Sequence, residues 1–273
     1  MVVLYTDSEE TCMTEEREIL AIIPARFDSH RFPGKVIAEL AGKPLVVHTY
    51  ERTIQAKCIS KAVIATDDQQ VADALAPYDI EVVMTSPDHP SGTDRIAEVA
   101  RTSTADIIVN VQGDEPMLDP ITIERAVEVM LQNPNLQMAT AKHAITNPDD
   151  IQNPNVVKVV TDQNGIALYF SRSPIPHTRD ITDQSPDHPV YWQHIGLYVF
   201  RRSFLLDYAA MEPTELEGLE KLEQLRVLEN GHQIAVVETD FKSIGVDTPE
   251  DLERVRKLLE DKLSTQKTER NES

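Results

Sequence analysis

Short apolar runs alternate with segments of helical period from residue 19 to about residue 144, and this alternation constrains the fold more than any other feature. ILAIIPA (19–25) is a continuous apolar run of the kind shown by parallel strands buried on both faces. PLVVHTYERTIQA (44–56) follows, with Leu45, His48, Thr49 and Arg52 at helical spacing and a proline at its start. Next come KAVIAT (61–66), a helix over about 69–76, EVVM (81–84) and a helix over about 92–102. DIIVNVQ (106–112), a helix over about 120–132 and LQMATAKHA (136–144) complete the series. Parallel neighbours need crossover connections, and helices supply them. The pattern therefore predicts an α/β fold, a mostly parallel mixed sheet flanked by helices.

Beyond residue 144 the pattern is richer in strands: NVVKVVTD (155–162), ALYFSR (167–172), HIGLYVF (194–200) and IAVVETD (234–240). One helix is expected near 216–230, with Leu216, Leu219, Leu222, Leu225 and Leu228 as an apolar stripe and Gly231 as its stop. A closing helix starts at Pro249, with Thr248 as N-cap and Asp251 placed for a capping box. No internal repeat is visible. The expected organisation is a mobile acidic leader (1–17), a single domain (18–263) with a strand-rich insertion over about 153–231, and a disordered tail (264–273).

Charge narrows the function. Lys plus Arg number 26 against 46 Asp plus Glu, a formal net charge of −20. That excludes a chain whose main task is to wrap a nucleic-acid backbone, which needs a basic face. A nucleotide substrate remains open, because a few local cations can hold a triphosphate. Residues 1–18 set six acids (Asp7, Glu9, Glu10, Glu15, Glu16, Glu18) against Arg17 alone, so most of the excess belongs to the folded body. Cys12 and Cys58 show no metal or redox spacing, which fits a reduced cytoplasmic chain. No run approaches the roughly 18 apolar residues of a membrane span, and the N-terminus lacks the marks of a secretory signal.

Three segments at predicted strand ends carry candidate chemistry. In Pro24-Ala25-Arg26-Phe27-Asp28-Ser29-His30-Arg31-Phe32-Pro33-Gly34-Lys35, two arginines and a lysine crowd one loop. The loop would follow the first strand at its carboxyl end, where open α/β sheets bind ligands. It matches neither the Walker A pattern nor GxGxxG. The alternative is a solvated loop, though clustered cations repel unless an anion neutralises them. In Gln112-Gly113-Asp114-Glu115-Pro116, Asp114 is either a Mg²⁺ ligand or a turn cap. In Gly245-Val246-Asp247-Thr248, Asp247 is either a ligand or an acid favoured by the helix dipole. Two such aspartates converging on one metal is the sharper hypothesis.

Other candidates are weaker alone. His89-Pro90-Ser91-Gly92-Thr93-Asp94-Arg95 could read a base at a helix start, or be a cap with an ion pair. His194 faces a ligand or sits satisfied in the core. Arg172 neutralises a substrate carboxylate bidentately or pairs with one of many acids. Glu223, Gln224 and Arg226 share the leucine-striped helix, whose stripe reads as core or as a partner face.

Taken together, IIPARFDSHRFPGK, AGKP (41–44), ATDD (65–68), VVMTSPDHPSGTDRIAEV (82–99), NVQGDEP, NPNVVKVV (153–160), YFSRSPIP (169–176), HIGLYVFR (194–201), EKLEQLRVLENG (220–231) and SIGVDTPEDLERV (243–255) resemble the 3-deoxy-manno-octulosonate cytidylyltransferase family. The resemblance runs over about residues 19–260, with Phe32, Val36 and 181–193 as departures. It implies a nucleotidyltransferase fold of the glycosyltransferase-A-like kind. The implied reaction is CTP plus 3-deoxy-D-manno-octulosonate (Kdo) giving CMP-Kdo and diphosphate, with Mg²⁺, for lipopolysaccharide biosynthesis.

By motif match, Arg26 and Lys35 would hold the triphosphate, with Pro24, Ala25 and Ser29 beside it. Thr66, Ser91, Gly92, Thr93, Arg95 and Gln112 would complete the nucleotide site. Asp114 and Asp247 would hold Mg²⁺, and Arg172, His194, Tyr198, Glu223 and Gln224 would line the Kdo pocket. Arg26, Lys35, Asp114 and Asp247 would carry the catalysis. The resemblance also implies a cytoplasmic homodimer without nucleic-acid or membrane partners, its strand-rich part serving sugar binding and dimerisation. Rival readings are CTP-dependent activation of another acidic sugar (8-amino-Kdo or a nonulosonic acid) and a catalytically silent nucleotide-binding relative.

Overall fold

The computed structural model describes residues 17–28, 31–179, 190–242 and 244–271. In chain order the elements are β1 (Ile19–Pro24), β2 (Glu39–Leu40), β3 (Lys43–Pro44), α1 (Leu45–Thr53), β4 (Lys61–Thr66), α2 (Gln69–Leu75), β5 (Val82–Met84), α3 (Gly92–Arg101), β6 (Ile107–Val111), α4 (Pro120–Gln132) and β7 (Met138–Ala144). They continue with α5 (Pro148–Gln152), β8 (Lys158–Thr161), β9 (Ala167–Ser171), β10 (Trp192–Arg201), α6 (Arg202–Tyr208), α7 (Glu215–Glu220), α8 (Gln224–Glu229), β11 (Ile234–Thr239) and α9 (Pro249–Asn271).

The main sheet runs β11-β7-β10-β6-β1-β4-β5, with the β8–β9 hairpin attached to β10. β6, β1, β4 and β5 are parallel, whereas β10 enters antiparallel between β6 and β7. Every residue of β1 is buried. Successive side chains of a strand point to opposite faces, so Ile19, Ala21 and Ile23 join the core under α1 and α4, with Val47 and Val127. Leu20 and Ile22 join the core under α3 and α6, with Ala97 and Leu205. The unbroken apolar run follows directly from helices covering both sides.

The predicted helices at 44–56, 69–76, 92–102 and 120–132 are α1 to α4, shorter by up to three residues at an end. The helix expected near 216–230 is instead two short helices. Lys221 adopts a left-handed conformation (φ 53°), which breaks the chain between α7 and α8. The leucine stripe breaks with it: Leu222 and Leu225 are buried, whereas Leu219 is 73% exposed. Gly231 follows α8 with positive φ, as a stop residue should. Thr248 and Asp251 exchange bonds at the start of α9, the Asp251 amide donating to Thr248 Oγ1 and the Thr248 amide to Asp251 Oδ2. α9 runs to Asn271, past residue 264 where the tail was expected to begin. Most of the leader, Ser29 and much of 181–193 lie outside the described residues. Among the described residues no helix is long and apolar enough to cross a membrane.

Candidate active site

The site forms where β1 and β6 end together. β1 runs out at Pro24 and β6 at Val111, and Gln112-Gly113-Asp114 turns across the sheet edge. Gly113 lies so close to Pro24 that an added Cβ would come within 2.8 Å of the Pro24 carbonyl oxygen. A side chain there would push the two strand ends apart. Two cavities open at this edge. The smaller, about 280 Å³, is lined by Pro24, Arg26, Asp28, Lys35, Gln112 and Asp114 among others. The larger, about 430 Å³, is lined by Thr93, Arg172, His194, Tyr198, Glu223, Gln224 and Asp247 among others. Gly92, Gln112 and Asp114 line both, so the two are adjoining compartments of one cleft.

At their junction two carboxylates converge on one cation. Lys35 Nζ donates to Asp114 Oδ2 at 2.5 Å and to Asp247 Oδ1 at 3.0 Å. Arg31 Nη2 bonds the second oxygen of Asp247 at 2.9 Å. The Val246 amide donates to the Asp114 carbonyl at 2.9 Å, stitching the two aspartate loops together. Val246 and Leu252 seat the start of α9 in a core patch with Leu45 and Met117. Residues 133 positions apart in sequence thus share one cation. Burial opposes the charge on Lys35, but the two carboxylates outweigh it and hold the ammonium above its ordinary value. Burial likewise opposes the charge on Asp247, and Lys35 with Arg31 overcomes it, so this carboxyl titrates below its usual range.

This donor set fits a divalent ion that prefers hard oxygen ligands, since both carboxylates already face one cationic group. No group of three or more His, Cys, Asp or Glu is placed to hold a metal ion among the described residues. A metal here would therefore take two protein carboxylates and fill its remaining positions from water or substrate phosphate.

Not every predicted nucleotide residue faces the cleft. The Ala25 amide is committed to the Ala65 carbonyl at 2.8 Å, an extension of the β1–β4 ladder. Thr66 is fully buried, and its hydroxyl accepts from the Asp68 amide in the turn before α2. Within 89–95 the cap-and-ion-pair reading describes two residues. Ser91 caps α3 through the Asp94 amide. Arg95 is fully buried, pairs with Asp67 at 3.0 Å and donates to the Thr85 hydroxyl. Gly92 and Thr93, by contrast, border the cleft, and Thr93 Oγ1 donates to Glu223 Oε2 at 2.6 Å. That bond fastens the start of α3 to the start of α8. Gln112 reaches Asn110 Oδ1 at 3.3 Å, and Ser29 lies outside the described residues.

The larger compartment gathers all five predicted sugar-side residues. The Arg172 guanidinium bonds three carbonyls, those of Glu220 (2.6 Å), Pro154 (3.0 Å) and Lys221 (3.3 Å), and among the described residues it has no direct carboxylate partner. His194 is buried edge-on against Phe170 and bonds Thr140 Oγ1 at 2.9 Å. Burial pulls its pKa down to about 3, so it is neutral at physiological pH. Tyr198 donates to Gln224 Oε1 at 3.1 Å. Gln224 is 2% exposed, and its Nε2 has no hydrogen-bond partner among the described residues, which leaves a buried donor on the cavity wall. Burial raises the pKa of Glu223, with the Thr93 bond and Arg226 pulling the other way. Sequence reasoning missed Asn155, Gln193 and Lys221 on this wall. Asn155 and Lys221 lay inside quoted segments and Gln193 beside one, and the α7–α8 break brings Lys221 to this wall.

A family model described as Cytidylyltransferase matches residues 20–234. The 3-deoxy-manno-octulosonate cytidylyltransferase of Trichlorobacter lovleyi is 55% identical over 248 residues, 89% of this chain and 98% of the relative. That of Geobacter sulfurreducens is 54% identical over 247 residues, 88% of this chain and 99% of the relative. A solved structure of CMP:2-keto-3-deoxy-manno-octonic acid synthetase complexed with CTP is 40% identical. It covers 90% of this chain and 99% of its own, with a TM-score of 0.84. A 4-diphosphocytidyl-2C-methyl-D-erythritol synthase from Anaerococcus prevotii, 14% identical with a TM-score of 0.58, shares the fold. The chain belongs to the 3-deoxy-manno-octulosonate cytidylyltransferase family.

Proposed function

We propose that this chain is a cytidylyltransferase that converts CTP and Kdo into CMP-Kdo and diphosphate. The observation that carries this reading is the cleft itself. A cation-bearing compartment of nucleotide-loop residues adjoins a larger one holding Arg172 and Gln224, and Asp114 stands on their shared wall. In the reaction the anomeric hydroxyl of Kdo attacks the α-phosphorus in line, and diphosphate leaves from the opposite side. Arg26 and Lys35 hold the triphosphate and oppose the charge that grows on the leaving group. Gln112 and Gly92, on the shared wall, fix the nucleotide against the sugar.

Arg172 faces the sugar carboxylate with an uncancelled charge, and the Gln224 amide donates to a sugar oxygen. Neutral His194 and Tyr198 shape the pocket without adding charge. Asp114 and Asp247 would hold Mg²⁺, which when bound supplies charge neutralisation to the phosphoryl oxygens. No side chain has to form a covalent intermediate. The family resemblance also supports a single nucleotidyltransferase domain and a cytoplasmic homodimer whose product serves lipopolysaccharide synthesis. Sedimentation velocity tests the dimer.

The deciding experiment is diphosphate release with Mg²⁺, CTP and Kdo, with ATP, GTP and UTP as nucleotide controls. Release that needs both CTP and Kdo is the expected result. Release with CTP and a different acidic sugar would replace the acceptor and keep the site. No release with any acidic sugar would overturn the enzymatic reading.

A further inference from the structure

The Arg26 guanidinium bonds a loop carbonyl, and that loop is tied to α3 outside the cleft. Among the described residues, the hydrogen-bond partner of the Arg26 guanidinium is the main-chain carbonyl of His89, which accepts from Nη2. His89 belongs to the loop between β5 and α3, whose first residue, Thr85, still bonds the Thr66 carbonyl of β4 at 2.8 Å and whose next residues leave the sheet. Arg95 bonds the loop at Thr85 and the Ser86 carbonyl, and Glu98, farther along α3, ties it at the Ser86 amide and at His89. Its Oε2 bonds His89 Nε2 and accepts from the Ser86 amide at 3.0 Å. One carboxylate oxygen thus ties both ends of a four-residue stretch back to the helix that follows it. The bond from His89 is the main cause that keeps the Glu98 carboxyl ionised below its usual range, with the Ser86 amide second. An arginine held before its ligand arrives spares binding the cost of ordering it.

We propose that Glu98 and His89 are positioning residues for the nucleotide: Glu98 holds the His89 loop, and the His89 carbonyl holds Arg26 toward the phosphate compartment. The inference rests on the reading of Arg26 as a phosphate-holding residue. Neither Glu98 nor His89 lines either compartment of the cleft. Their effect must pass through Arg26, and this makes the proposal separable from a direct contact.

The test is a double-mutant cycle read by diphosphate release, varying CTP at saturating Kdo and then Kdo at saturating CTP. Glu98→Gln removes the charge and keeps the shape. It should raise KM for CTP about five- to tenfold, with a smaller fall in kcat because Arg26 also faces the leaving group, and leave KM for Kdo unchanged. His89→Ala, which keeps the main-chain carbonyl but loses the ring and its bond to Glu98, should give the same split. In an Arg26→Ala background Glu98→Gln should have no further effect, because residues acting through one another are not additive. A full additional rise in that background, or equal losses for both substrates, overturns the relay. A normal KM for CTP in Glu98→Gln, alongside a raised one in Arg26→Ala, overturns the relay and spares the assignment of Arg26. A normal KM for CTP in Arg26→Ala overturns both.

Discussion

Lys35 is the residue on which the site's charge turns. It is a cation held by two carboxylates, and each of the three is defined by the other two. Replacing either aspartate by asparagine keeps the shape and removes half of the negative pair. Asp114→Asn and Asp247→Asn should therefore each cut turnover by about 10²-fold or more at saturating Mg²⁺, the scale on which charge stabilisation acts in such sites. Near-normal rates in both would rule out the metal role. Lys35→Ala should weaken CTP use more than Kdo use, and the opposite pattern would misplace the phosphate compartment. His194 makes a different prediction, about pH. Its folded pKa of about 3 lies below the ordinary value of 6.5, so the unfolded chain binds a proton that the folded chain refuses. This lowers stability as pH falls from 6.5 toward 3, by up to about 1.4 kcal/mol per pH unit from this one group. His194→Gln should flatten that part of the stability–pH curve, measured by urea unfolding at pH 7, 6 and 5. An unchanged slope would mean that His194 is protonated in the folded protein.

At the scale of elements, the joints matter more than the rods. α7 and α8 are too short to persist alone, and a buried ion pair ties them together. Arg226 Nε and Nη2 meet the two oxygens of Glu217 at 2.8 and 2.5 Å. Arg226→Met strands the Glu217 carboxylate in a half-dry site and should cost about 3 kcal/mol in thermal unfolding. Arg226→Met with Glu217→Leu should recover much of that loss, and a double variant as unstable as the single would refute the account. The same joint holds Glu223 and Gln224 against the cleft, so the single variant should also raise KM for Kdo. α3 and α4 end in another device. Arg202 Nε donates to the Ala100 carbonyl at 2.7 Å and Arg201 Nε to the Leu136 carbonyl at 3.1 Å, so two adjacent arginines satisfy carbonyls where α3 ends and where the chain turns from α4 into β7. Apolar period marks a helix but not its joints. The α7–α8 break depends on a left-handed lysine, which no helical pattern signals, so a continuous helix was expected there.

On the scale of the whole molecule, the strand-rich part is not a separate body. β10 lies in the middle of the main sheet, bonded to β6 on one side and β7 on the other, and it carries His194 and Tyr198. The β8–β9 hairpin hangs from that same strand. The sugar-side wall should therefore unfold with the nucleotide side. Far-ultraviolet and near-ultraviolet circular dichroism should lose signal along coincident thermal curves. An early step confined to the near-ultraviolet would show the two parts to be independent.

The sequence by itself determined the alternation of strands and helices, the two-sided burial of β1 and the loops at the strand ends. Those follow from local period, turn chemistry and the covering of a parallel sheet, all of which are written along the chain. It also marked Asp114 and Asp247 as a possible pair, and the family motifs marked the residues of both compartments. Tertiary structure alone decided which of these face the cleft. Ala25, Thr66 and Arg95 carry the right motif letters, yet a ladder bond, a turn bond and an ion pair engage the Ala25 amide, the Thr66 hydroxyl and the Arg95 guanidinium. Only the folded chain could place Lys35 between two aspartates and Glu98 behind Arg26. The reason is physical: a backbone's local preferences are set by neighbours in sequence, whereas the partner of a charged side chain is set by which distant segments the core brings together.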